Sequence, residues 1–213
     1  MRFQNLAHAM GEDCDVSMLQ PPPVDIPQRI VDLGALYARE IVARGGGACF
    51  VGGFSVGGIA ALETARQLQS QGVTVLGLLL LDTVYPKAVW GGMFYWRTFG
   101  WLVRHLRIQD MSLNGRRLGA MFNDTGLVGQ VMAMRGYRVA RFAGPTFLIK
   151  TIGLSRWHGM LFRSWRNLLG PDLSEHRVAG LHGSIFEPAN VTGLAKELRA
   201  IMQPSPHAAD PAP

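Results

Sequence analysis

The feature that most constrains this chain is a serine held between glycines at the joint of a strand-like and a helix-like run. Gly53-Phe54-Ser55-Val56-Gly57 follows the β-prone stretch Ala48 to Gly53 and opens Gly57 to Gln71, where Ile59, Leu62, Ala65, Arg66 and Leu68 fall at helical spacing. A G-x-S-x-G run in that context predicts a nucleophile elbow. Two glycines remove Cβ atoms from a turn tight enough to force the serine into a strained backbone conformation. Its hydroxyl is then presented at a helix N-terminus, where the N–H of Val56 is placed to stabilise an oxyanion. A glycine-rich strand-to-helix turn can also serve to bind a phosphate or to pack closely.

The surrounding pattern predicts an α/β fold. Val73 to Leu81 is a near-continuous apolar run, as expected of a central parallel strand covered on both faces, so strand, helix and strand make a right-handed βαβ unit. Ahead of it, Ile26 to Arg44 carries helical periodicity and stops at Gly45-Gly46-Gly47. From Pro86 to about Gly136 the chain turns aromatic and basic without strand-like alternation, which predicts an inserted helical lid over about 87–136. Phe142 to Thr151 returns to strand character, Ser174 to Leu181 allows a further short strand, and Pro188 to Met202 reads as a helix. The expectation is one domain over 1–203 with helices on both faces of a mostly parallel sheet. The tail, 204–213, holds four prolines and no large apolar residue and is expected to be disordered.

At 213 residues and 48% hydrophobic, the chain is long enough to bury one substantial core. No uninterrupted apolar run reaches the roughly 18 residues of a membrane span, and no basic-then-apolar segment opens the sequence, so a cytoplasmic protein is expected. Cys14 and Cys49 are too few for a disulfide framework and lack zinc spacing; Cys49, in an apolar stretch, is expected as a buried reduced thiol. Thirteen Lys or Arg against two acids lie between Lys87 and Arg166, so that segment, at +11, exceeds the +6 of the whole chain. Its field would draw anionic partners such as phosphopantetheine, an acidic carrier protein or coenzyme A, while no recognisable nucleic-acid motif accompanies it. Trp90 to Arg107 also admits a reading as an interfacial helix on anionic lipid, less favoured than an apolar lid over a pocket.

A serine hydroxyl needs a general base, and the base an orienting carboxylate, in the chain order Ser, Asp, His. Asp82 ends the Val73 to Leu81 strand, where open parallel sheets place functional residues and where an acid is costly unless partnered. Its bland alternative is a cap or turn at Asp82-Thr83. Of six histidines, His182 lies in a loop framed by Gly180 and Gly183 just before the last helix. His176 is its competitor; His8, His105, His158 and His207 lie ahead of the core, in or beside the lid, or in the tail.

These residues resemble the thioesterase domains that end nonribosomal peptide and polyketide synthetases. Phe50 through Leu68 is similar to that family's elbow and following helix, Gln71 through Pro86 to its next strand and acid, and Gly180-Leu181-His182 with Phe186 through Ala195 to its histidine loop and last helix. Tyr137 to Lys150, with the later Trp165, resembles its strand after the lid. The resemblance covers about Phe3 to Met202. It implies an α/β-hydrolase fold, a triad of Ser55, Asp82 and His182, an oxyanion donor at Val56, and a lid over an acyl chain delivered on the phosphopantetheine of a carrier protein or synthetase. Asp82 stands where the terminal-domain branch, rather than the separate editing enzymes, has its acid. No metal or organic cofactor is implied.

The chain departs from the family at its start. Members begin with a strand and a His-Pro-Gly-like loop that supplies half the oxyanion hole, whereas here Phe3 to Met10 already resembles the next helix and Met18 to Pro23 the extended stretch after it. One oxyanion donor is worth about 2.7 to 4 kcal/mol in the transition state. Two expectations follow: a thioester hydrolase, if the hole is completed, or a truncated, vestigial hydrolase that binds a carrier protein or synthetase without catalysis.

Overall fold

The computed structural model describes residues 2–21, 27, 29–86, 112–113, 116–117, 133–134, 136–152 and 163–203. The helices are α1 (Arg2–Met10), α2 (Ile30–Ala43), α3 (Gly57–Ser70) and α4 (Pro188–Met202). The strands are β1 (Cys49–Phe54), β2 (Val75–Leu81), β3 (Ser112–Leu113), β4 (Arg116–Arg117), β5 (Thr146–Thr151) and β6 (Leu173–Val178). A helical segment over 163–169 comes between β5 and β6.

β1, β2, β5 and β6 form one sheet in the order β1-β2-β5-β6, every neighbouring pair parallel. β2 is the reason the sheet has two cores. Its Leu78 and Leu80 join Ile30 of α2, Ile59, Leu62 and Leu68 of α3, and Trp165 on one face. Leu79 and Leu81 alternate to the other face and join Leu6 and Met10 of α1 with Val191, Leu194 and Leu198 of α4. A strand buried on both sides reads as an unbroken apolar run instead of an alternating one. Each fully buried leucine contributes roughly 1.5 to 3 kcal/mol relative to exposure.

The elements agree with the sequence expectation in kind and differ at their ends. α2 opens at Ile30, later than Ile26, because Arg29 is extended (φ −131°, ψ 142°) and its carbonyl accepts the first helical bonds from Asp32 and Leu33. β2 begins two residues after Val73 and β6 ends at Val178, short of Leu181. α4 starts at Pro188, whose missing N–H costs nothing in the first turn. Trp165 belongs to the helical segment and not to a strand. The helical-lid reading of 87–136 falls mainly outside the described residues, as do the interfacial-helix reading and the tail. Of the described residues in that segment, Ser112, Leu113, Arg116 and Arg117 pair antiparallel as β3 and β4 and so are strand and not helix, while Ala133 is helical. In the sequence Asn114-Gly115 lies between β3 and β4, a pair favoured in two-residue hairpin turns.

Cys14 and Cys49 are free, and each is half-buried, so Cys49 is less enclosed than expected; partial burial still pushes its thiol up. Among the described residues no helix is long and apolar enough to cross a membrane.

Candidate active site

Ser55 sits between the last residue of β1 and the start of α3, with φ at +56°, a left-handed backbone that a non-glycine residue adopts only under constraint. The constraint is visible: its N–H donates across to the carbonyl of Leu81 at 2.8 Å, tying the elbow to the end of β2. Gly53 permits the turn, since a Cβ there would lie 2.2 Å from the carbonyl oxygen of Gly57. The second motif glycine has a different standing from the one expected, because a Cβ on Gly57 would meet nothing within 4 Å. It is Gly58 that needs to be bare, as its Cβ would fall 2.0 Å from Thr83 Oγ1. Val56 has helical dihedrals (φ −58°, ψ −35°), so its N–H is among the unpaired donors at the N-terminus of α3.

Asp82 follows β2 directly and also has a left-handed backbone, φ +47°. Its side chain is 1% exposed. Burial alone would raise its carboxyl, but hydrogen bonds from His182 and from the backbone and side chain of Thr151 outweigh that and hold it below the ordinary aspartate range. Thr151 N–H donates to Oδ1 at 3.0 Å and the Thr151 hydroxyl to Oδ2 at 2.8 Å.

His182 completes the arrangement from the far end of the chain. Its Nδ1 lies 3.0 Å from Asp82 Oδ2 and its Nε2 3.1 Å from Ser55 Oγ. An ionised carboxylate only accepts, so Nδ1 carries the proton and Nε2 is left to accept from the serine hydroxyl. The ring stacks on Phe54 with centroids 4.6 Å apart at 27°. His176, the competitor, is on β6 with Nδ1 2.6 Å from Glu197 of α4, which commits it to a strand-helix contact.

The structure thus brings Ser55, Asp82 and His182 within hydrogen-bond reach of one another, with Val56 beside the serine. Thr151 and Phe54 were not singled out in the sequence: a threonine ending a strand looks like an ordinary β-former, and the variable position before a motif serine has no signature of its own. Trp165 was also missed as a support, although its Nε1 donates to the Thr83 carbonyl at 2.8 Å, fixing the residue after Asp82. Among the described residues no three His, Cys, Asp or Glu side chains gather into a metal-binding group.

A serine on a strained elbow, an imidazole on its hydroxyl and a buried carboxylate on that imidazole therefore lie together at the C-terminal ends of parallel strands. The family model for the thioesterase domain matches residues 1–202, so the chain belongs to the thioesterase domain family. It is 28% identical over 218 residues to the non-reducing polyketide synthase ntnG of a Nectria species, a match covering 88% of this chain and 11% of that one. Among solved structures, a holo four-domain nonribosomal peptide synthetase bound to AMP and glycine is similar at a TM-score of 0.71 and 19% identity, over 96% of this chain and 18% of that one. The RedJ thioesterase of the prodiginine pathway in Streptomyces coelicolor is similar at 0.66 and 16%, over 93% of this chain and 84% of that one. The fold is that of the α/β-hydrolase thioesterases. The chain spans only 11% or less of the length of the curated relatives it matches.

Proposed function

We propose that this domain releases an acyl or peptidyl group from a thioester through Ser55, His182 and Asp82. The observation that carries the reading is the continuous hydrogen-bonded line from Ser55 Oγ through the imidazole to the buried Asp82 carboxylate. Ser55 Oγ attacks the thioester carbonyl while His182 Nε2 takes its proton, and the Val56 N–H meets the oxygen that becomes negative. Collapse of the tetrahedral species breaks the carbon–sulfur bond, the thiolate takes the proton from His182 and leaves, and an ester remains on Ser55. Water, or a nucleophile within the acyl chain, then attacks the ester carbonyl as it gives its proton to Nε2, and collapse breaks the bond to Ser55 Oγ, which takes that proton back from His182 as the product leaves. Asp82 keeps the imidazole in the required tautomer and offsets its charge when protonated.

The substrate class proposed is an acyl thioester on the phosphopantetheine of a carrier protein, within a synthetase or as its partner. Membership of the family, with a synthase and a synthetase among the proteins similar to the chain, supports that choice. Covalent labelling by a fluorophosphonate probe, read by intact mass, tests the nucleophile. One adduct per chain that vanishes in Ser55→Ala is expected, together with turnover of an acyl thioester that falls to background in the same variant. A folded chain that never labels would sink the catalytic reading and leave the carrier-binding one.

A further inference from the structure

We infer that Thr151 is a positioning residue for the acid of this site, with its side-chain hydroxyl fixing the Asp82 carboxylate against His182. The inference deepens the proposed reading and rests on it for the reaction, though not for the geometry. Asp82 directly follows β2 and Thr151 ends β5, its parallel neighbour, and the β2–β5 ladder continues past its last pair through the Asp82 N–H, which donates to the Ile149 carbonyl at 2.7 Å. That bond brings the start of the Asp82 side chain level with the end of β5. Thr151 then supplies both of its donors, the N–H to Oδ1 and the hydroxyl to Oδ2.

Oδ2 is the oxygen His182 also uses. It therefore takes two donors, and because an ionised carboxylate offers no proton, the hydroxyl must point its hydrogen at it. Thr151 is 2% exposed and Asp82 1%, so water does not replace a lost donor readily. Without the hydroxyl the carboxylate is anchored at Oδ1 alone. Its plane is then free to turn about that anchor, and its charge is shared among fewer donors. Both effects degrade the orientation of Nδ1 and, through the ring, of the Nε2 facing Ser55. Only proline would remove the backbone N–H, and it would also disturb the end of β5, whereas the hydroxyl can be removed alone, which makes this half of the support testable.

The experiment compares the wild-type chain with Thr151→Val, nearly isosteric and lacking the donor, and Thr151→Ser, which keeps it. Circular dichroism establishes that each is folded. The rate of fluorophosphonate labelling at Ser55 is then followed across pH. A hydrogen bond to a charged group is strong enough that Thr151→Val is expected to label about tenfold more slowly or worse. Its acid limb should move to higher pH, since a carboxylate with fewer donors takes a proton more readily, and Thr151→Ser should recover both. The His182 Nδ1 proton resonance gives a reading independent of turnover, and it should shift or broaden in the valine variant only. Valine labelling with the wild-type rate and pH profile, alongside a lowered melting temperature, would reduce Thr151 to a packing residue. If the wild-type chain does not label at all, the catalytic reading fails separately, and an unchanged His182 proton resonance in Thr151→Val would then overturn the positioning role as well.

Discussion

Two non-glycine residues with left-handed backbones, Ser55 and Asp82, are both members of the proposed triad. Such a conformation costs about 1 to 3 kcal/mol and persists only where the surroundings over-determine it. Here each residue's N–H is spent on the next strand, Ser55 on Leu81 and Asp82 on Ile149. The turn after Asp82 is fixed as tightly: Thr83 is fully buried, its carbonyl is held by Trp165, and its side chain fills the space in front of Gly58. Gly58→Ala would place a methyl 2.0 Å from Thr83 Oγ1 and 2.6 Å from Cγ2. Since both atoms belong to Thr83, which is fully buried, a loss of about 1 to 3 kcal/mol is expected, in the range of overpacked cores. Urea unfolding measures it, and a midpoint equal to wild type would show that Thr83 moves freely. The motif serine was legible in the sequence because its pattern is local. The reason for each glycine was not, because Gly53 answers to Gly57 within the turn while Gly58 answers to Thr83, in the loop that follows β2.

The same division holds for whole elements. The β2 run, the α3 periodicity and α4 from Pro188 were readable because burial on one or both faces leaves a repeating trace. What positions the histidine loop left none. Its supports come from the opposite end of the chain: Asn5 of α1 donates from Nδ2 to the Phe186 carbonyl at 3.0 Å, and Phe3 packs on the Phe186 ring at 4.7 Å. Phe186 meets Phe54 edge-on at 5.0 Å, and Phe54 stacks on His182. Arg199 of α4 closes the contact by donating to the carbonyls of Ala9 and Met10 at the end of α1. α1 thus acts on the site through a line of rings, a contact between residues far apart in sequence that no periodicity announces. Phe186→Leu keeps apolar volume and cuts two ring contacts, each worth about 0.5 to 1.5 kcal/mol beyond area. The expected result is a lower unfolding midpoint and slower Ser55 labelling well below that midpoint. Unaltered labelling would mean that Phe54 alone orients the imidazole.

Over the whole molecule, acid should act on stability through the ion pairs that join elements. Glu175 on β6 is bound by Arg166 from the helical segment, through both carboxylate oxygens, and by Lys150 from β5. The Arg166 hydrogen bonds are the chief cause holding its carboxyl at about 2, against an ordinary 4.5. A folded-state value below the unfolded one means the pair stabilises the fold fully above about pH 4.5 and loses that contribution as pH falls toward 2. Arg166 is 61% exposed, so solvent screens the interaction and its worth is modest. The general repulsion of a chain already at +6 also grows on acidification, but it is nearly common to wild type and a single-charge variant. The difference between them therefore isolates the pair. Arg166→Gln should be less stable than wild type by a gap that is constant from neutral pH to about 5, narrows below that and closes near pH 2, and it should shrink in high salt at neutral pH. Urea unfolding across that pH range reads the gap. One that persists unchanged at pH 2.5 would place the contribution of Arg166 in the packing of its stem against β6 instead of in its charge.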